Sequence, residues 1–449
     1  MKRAALLLAL AAGSAAAQTT AFVDVNVVPM DRNVVLERQT VVVRDKRIAS
    51  VGPAGSAQIP ATAVRIDGRG KYLMPGIDEM HAHVPPGSAT EQGLKDLMFQ
   101  YIANGVTTIR GMLGAPYQLT LRERLARGEI LGPTFYVGAP SLNGKSAPTA
   151  DIAAELVRAH KTAGYDFLKI HPGMTREAYD GMVAASREVG ITLAGHVSRH
   201  YGASHAMDTR QSTIDHLDGF VEASVPPGMN PLAPLAELIR VADASRFPAL
   251  ARRSKEMGVW HVPTMLVWRN LFSVDETPEQ IAARDEMKYA PPAQVQTWIQ
   301  QKRTRDAVNA GLGLTPADIK RYMELRTQML KAVVDADGLL LMGTDSPQLF
   351  MVPGFALHRE LGIMASAGLT PFQILRSGRV NVAQYARENL KVDGNFGVVA
   401  PGMRADLVLL DANPLQDVAN LQKRAGVMVK GTWVSADEIR AGLEAIVRR

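Results

Sequence analysis

Two histidines separated by one residue, His81-Ala82-His83, follow an apolar run closed by Pro75-Gly76. On a strand, residues i and i+2 project from the same side. Both imidazoles therefore point together, with Ala82 on the other side. Two converging imidazoles make half of a zinc-type site; alone, the motif equally fits two surface or hydrogen-bonded histidines. Lys169 lies in the apolar stretch Phe167-Leu168-Lys169-Ile170-His171, where an unpaired ammonium is costly. Such a lysine can snorkel or pair with a carboxylate. Beside metal cations it could instead react with carbon dioxide: the amine nitrogen bonds to carbon, a proton leaves, and the carbamate anion offers two oxygens to bridge two ions. His196 and His216 each close a strand-like segment, Leu193-Ala194-Gly195-His196 and Thr213-Ile214-Asp215-His216. Asp345 ends Leu341-Met342-Gly343-Thr344-Asp345, where an isolated carboxylate could also cap a following helix.

The elements that must position these residues follow from hydrophobic periodicity. Candidate strands are Tyr72–Asp78, Val106–Met112, Thr134–Ala139, Phe167–His171, Ile191–His196, Ser212–His216, Val259–Thr264 and Leu339–Thr344. Amphipathic segments such as Glu91–Ala103, Asp151–Ala163, Arg176–Val189 and Leu235–Ala242 lie between them. Alternating strands and helices over 73–389 predict an α/β chain with a (β/α)8 TIM barrel. Residues about 270–315 are polar and helix-prone, with a Pro291-Pro292 break, and predict a helical insertion. Both ends are strand-like, at 20–72 and again at 405–431, predicting a small β-sandwich domain from 18–72 plus 390–449. His81, His83, Lys169, His196, His216 and Asp345 all fall near C-terminal strand ends, the face that carries the active site in barrels of this kind. Arg110, Tyr136, His171 and His261 fall near the same face and are candidate substrate contacts, with Tyr117, Asn143 and Trp268 on nearby loops. His160, His200, His205 and His358 read as surface or structural residues.

Composition narrows the chemistry. The chain has 449 residues, ten histidines and no cysteine, which excludes thiolate metal sites, cysteine nucleophiles and disulfides. Any metal site must use histidine and carboxylate. The formal charge of +6 includes Lys2 and Arg3 and comes with no basic tract interleaved with aromatics, so nucleic-acid binding is not indicated. Lys2-Arg3, the apolar run Ala4–Ala12 and the small residues to Ala17 read as a signal peptide, 1–17, cleaved to leave Gln18. The run is too short to span a bilayer, and the expectation is a periplasmic or secreted protein without a membrane span.

Met74-Pro75-Gly76-Ile77-Asp78-Glu79-Met80-His81-Ala82-His83 resembles the opening signature of the amidohydrolase superfamily of metal-dependent hydrolases. Gly105–Arg110, His261–Met265, Gly343–Ser346 and Gly397–Val408 resemble its later landmarks, from about residue 20 to about 435. The imidazolonepropionase-like subgroup is the most similar, with Xaa-Pro dipeptidases and ochratoxin-type amide hydrolases among its members. That resemblance implies a binuclear centre: His81, His83 and Asp345 on one divalent ion, His196 and His216 on the other, bridged by carboxylated Lys169 and a hydroxide. Zinc is the default metal. It also implies hydrolysis of an amide bond in a dipeptide, an Xaa-Pro peptide or an N-acyl amino acid, by attack of the bridging hydroxide with Asp345 as proton acceptor, and a homo-oligomer. The same metals would serve a cyclic amide, lactone or ester; a non-catalytic metal- or solute-binding protein is a further reading. The chain departs from the subgroup after Arg110, where Gly111–Pro116 replaces an Asp-x-Gly-Gly-like turn.

Overall fold

The computed structural model describes residues 19–85 and 90–448; the expected signal peptide, 1–17, lies outside them. Fifteen strands are described: β1 (Thr20–Val27), β2 (Leu36–Arg44), β3 (Arg47–Pro53), β4 (Val64–Asp67), β5 (Tyr72–Pro75), β6 (Ile77–Ala82), β7 (Val106–Gly111), β8 (Thr134–Val137), β9 (Phe167–Ile170), β10 (Thr192–Gly195), β11 (Thr213–Asp215), β12 (Trp260–Val262), β13 (Leu407–Leu410), β14 (Arg424–Val429) and β15 (Thr432–Ser435). The fold is mixed α/β.

One eight-stranded sheet draws on both ends of the chain, in the order β15-β14-β13-β5-β1-β2-β3, with β4 also paired to β1. β-Branched runs such as Thr40-Val41-Val42-Val43 suit its pleated surface. Asp45 and Lys46, both at positive φ, form the two-residue turn that joins β2 to β3 with the twist a hairpin requires. Neighbouring strands lie about 4.8 Å apart, so β1 and β15 would be about 19 Å apart in a flat sheet. Phe22 of β1 and Trp433 of β15 instead meet edge to face at 5.3 Å. The sheet therefore curls over its own apolar core, which includes Phe22, Val41, Leu73, Leu407 and Met428.

The other strands pair in parallel, as β6-β7-β8 and as β12-β11-β10-β9. An isolated bridge, Gly138↔Phe167, links β8 to β9. Leu339–Thr344, expected as a regular strand, bonds with the two residues after it to two neighbours without forming one. Leu341 N donates to His261 O, Met80 N to Met342 O, and Asp345 N to His81 O. The left-handed φ of Asp345, 75°, ends the run.

Alternation decides which side chains reach the site. In β9, Leu168 and Ile170 join the outer apolar core with Tyr179 and Met182 of the helix Arg176–Val189. Phe167 joins the inner cluster, and Lys169, two residues on, faces the same interior. The Thr175 side chain caps that helix by accepting from Ala178 N, and left-handed Gly190 ends it, setting where β10 starts. Residues 270–315 carry the helices Pro278–Ala282 and Pro292–Gly311. Among the described residues no helix is long and apolar enough to cross a membrane.

Candidate metal centre

His81, His83, His196 and His216 converge with Lys169 and Asp345. Ring centroids are 5.5 Å apart for His81–His83, 4.5 Å for His81–His216 and 4.4 Å for His196–His216. His83 lies just past β6, yet still joins the group. Asp345 Oδ1 is 2.7 Å from His83 Nε2 and 3.5 Å from His81 Nε2, and it accepts from Gln348 Nε2 at 2.5 Å. One ligand atom from each of His81, His216 and Asp345 falls within 4.8 Å of the others. Lys169 is fully buried, with Nζ 3.4 Å from His81 Nε2.

Strand alternation alone would not assemble this group. Asp215 and His216 are adjacent, yet both turn inward because His216 takes φ 62°. Left-handed backbone at a non-glycine residue costs about 1–3 kcal/mol, which the surrounding structure must hold. Before His196, Gly195 has φ 122°. A Cβ there would sit 2.6 Å from Ile170 O and 3.0 Å from Lys169 Cδ, so only glycine gives the lysine stem its room.

His196, His216 and His171 are hydrogen-bonded through Nδ1, while His81 Nδ1 lies beside the Asp215 carboxylate without a hydrogen bond. His81 Nδ1 lies 2.9 Å from Asp215 Oδ2, His196 Nδ1 is 2.7 Å from Asp218 Oδ2, His216 Nδ1 is 2.6 Å from Thr264 Oγ1, and His171 Nδ1 is 2.7 Å from Ser141 Oγ. Asp215, Asp218, Thr264 and Ser141 were not singled out from sequence. Asp215 and Asp218 flank His216 in Asp-His-Leu-Asp, a signal that alternation masked because it sends Asp215 outward. Glu79 accepts from His81 N, Thr344 N and Thr344 Oγ1, and so ties β6 to the segment bearing Asp345.

The electrostatics favour uncharged bases. Burial first, then Lys169 and His83, holds His81 well below its ordinary value; burial first, then His196 and His81, does the same for His216. Burial lowers Lys169 to about 8, against the pull of Asp215 and Asp345. Burial pushes the Asp215 carboxyl up, but Arg110, Lys169 and His216 more than offset it, and it lies below the ordinary value. These imidazoles are thus poised to donate lone pairs. His216 Nε2 is buried without a hydrogen-bond partner, while its Nδ1 is engaged. This nitrogen-and-oxygen donor set, with a buried donor atom left over, fits divalent ions of the zinc type.

The expected substrate contacts divide. His171 borders the centre, 5.1 Å from the His196 ring, and lines a cavity of about 580 Å³ with Leu113, Ser141, Asn143, Lys145 and Gly173. Arg110 is not on the surface of a loop: it is fully buried, donating to Met80 O at 2.7 Å and Tyr385 Oη at 2.9 Å and lying 3.4 Å from Asp215. It holds Asp215 instead of meeting a ligand. Tyr136 is buried; burial pushes its hydroxyl up, against the pull of Arg404 and with the help of Asp78. His261 is fully buried against Phe220, with Nε2 2.9 Å from Ser254 Oγ. His358 has a structural contact, its Nε2 lying 3.0 Å from Arg424 Nη1.

Removing a group that orients a metal-binding histidine typically costs 10–100-fold in affinity. Asp218→Ala is therefore expected to weaken divalent-ion binding by about 10–100-fold in a chelator competition. Affinity within twofold of wild type would show that His196 needs no such support.

A comparison with curated proteins gives no match. Among solved structures, a bottromycin amidohydrolase is 23% identical with a TM-score of 0.72, covering 95% of this chain and 90% of that one. An A. niger ochratoxinase is 16% identical with a TM-score of 0.66, covering 94% and 96%. A Xaa-Pro dipeptidase with bound methionine in its active site is 16% identical with a TM-score of 0.64, covering 93% and 100%. At these identities the likeness is one of fold. The family model for the amidohydrolase family matches residues 72–434, so the chain belongs to the amidohydrolase family and is a hydrolase acting on carbon–nitrogen bonds.

Proposed function

We propose that this protein is an exported binuclear metal-dependent hydrolase that cleaves an amide bond in a dipeptide, an Xaa-Pro peptide or an N-acyl amino acid. The observation that carries the reading is the convergence of four imidazoles, Lys169 and Asp345 on one buried point. His81, His83 and Asp345 would hold one ion, His196 and His216 the other, with Lys169, carboxylated, between them; zinc suits the donors. Bound there, the ions supply Lewis acidity toward the scissile carbonyl and a water acidic enough to attack at neutral pH. The chain's residues do the rest. Asp345 accepts the proton of that water at Oδ2, its less engaged oxygen, and passes it to the leaving nitrogen. The cavity beside His171 receives the part of the substrate beyond that nitrogen. The Lys145 ammonium and the polar groups of Ser141 and Asn143 give it affinity for a free carboxylate.

The reading includes closure of the eight parallel segments as a (β/α)8 barrel, supported by the bonds of residues 339–346 to both β12 and β6. It also includes a sandwich-like terminal domain, export through residues 1–17 and self-association. The test is turnover by purified protein on dipeptides including Xaa-Pro, N-acyl amino acids, hydantoin-type rings and aryl esters. Preferred turnover of amides bearing a free carboxylate is expected. Turnover of rings or esters with no linear amide cleaved would contradict it in favour of a cyclic amide, lactone or ester hydrolase.

A further inference from the structure

His216 leaves the strand ladder as it turns left-handed. Its N–H still reaches Val262 O at 2.7 Å, but its buried carbonyl no longer faces a strand partner. A buried carbonyl needs a donor, and this one comes from Arg326 on the helix Pro316–Asp335, 110 residues away in sequence. Arg326 Nη2 donates to His216 O at 2.5 Å. The guanidinium lies over the Trp268 ring at 4.1 Å and faces Tyr322 at 5.5 Å. Trp268 in turn packs against the His216 ring at 6.3 Å. Arg326 is 2% exposed, and its neighbours at hydrogen-bond range are Tyr322 Oη and His216 O rather than a carboxylate.

We infer that Arg326, seated on Trp268, is a positioning residue for the metal centre: it holds the left-handed backbone of His216, and so aims His216 Nε2 at the ion. Three of the polar groups of His216 are then engaged, by Val262, Thr264 and Arg326, and the fourth, Nε2, is left for metal. A planar guanidinium can lie flat on an indole while donating in its own plane. The compact lysine ammonium has no such face, so lysine would fill the role in part. A buried guanidinium beside a catalytic centre could otherwise anchor a substrate carboxylate. Its cover by Trp268 and its engagement with His216 O argue against that.

The inference rests on the metal-centre reading, and the experiment separates the two. Full-length wild type, Arg326→Met and Arg326→Lys are stripped of metal and titrated with cobalt(II), following the visible ligand-field bands and competing with a chelator; kcat and KM are then measured on the best amide substrate. Arg326→Met is expected to weaken cobalt binding at one site by about 10-fold or more, to shift the bands, and to lower kcat with KM changed less than about threefold. Arg326→Lys falls between it and wild type. Unchanged binding and bands in Arg326→Met would overturn the inference, and a KM raised about 10-fold alongside them would assign Arg326 to a substrate carboxylate. If Arg326→Met does not fold, Arg326→Lys decides on the same readouts, and wild-type affinity and bands would overturn the inference. A wild type that binds no cobalt overturns the metal centre itself.

Discussion

Asp345→Asn is expected to keep most of the bound metal and to lose about 10³-fold or more in turnover, the scale of a lost acid–base group. The carboxylate sits between His83 Nε2 at 2.7 Å and His81 Nε2 at 3.5 Å, with Gln348 donating to Oδ1. Asparagine keeps the shape and one acceptor oxygen, so the fold and much of the ligand set survive. It cannot carry a proton from water to the leaving nitrogen. The loss should fall on kcat, with KM nearly unchanged, because the missing interaction is made only in the transition state. Metal content and steady-state kinetics on the same preparation check it, and near-normal turnover would remove Asp345 from the proton path.

Lys169→Ala is expected to lose turnover on a similar scale, about 10³-fold, as a central electrostatic group is removed. The diagnostic part is rescue. The substitution opens space beside Gly195, against which the lysine stem packs so closely that a Cβ there would lie 3.0 Å from Lys169 Cδ. If the native bridge is a carbamate, formate, acetate or propionate should restore about 10-fold or more of the lost activity. Short alkylamines should not, because they replace an ammonium and not a carboxylate. Rescue by amines alone, or an unmodified Lys169 in the intact mass of active enzyme, would refute the carbamate.

Much of this arrangement was legible from residue spacing. The helices Glu91–Ala103 and Arg176–Val189 have the bounds their apolar spacing predicts, because both carry threonine N-caps before a regular apolar face. Lys169 faces inward as the period of two requires. Other features depend on distant residues or on single dihedrals. No local pattern announces that His216 and Asp345 take φ 62° and 75°, although those turns bring Asp215 inward and end the run from Leu339. The position of Arg110 near a strand end suggests a substrate contact. The residue is buried by partners far along the chain, Asp215 and Tyr385. Arg326 sits on a helix whose sequence gives no link to His216. The groups that orient the histidines were thus the least readable, because each is joined to its ligand by tertiary contact and not by spacing.

This centre is expected to bind two divalent ions and to need them for activity. The direct measurement is elemental analysis of the purified chain combined with activity during stepwise metal removal and return. Two ions per chain are predicted, with activity lost on chelation and regained as zinc or another divalent ion is restored toward two. Full activity at less than one ion per chain would contradict a two-ion centre.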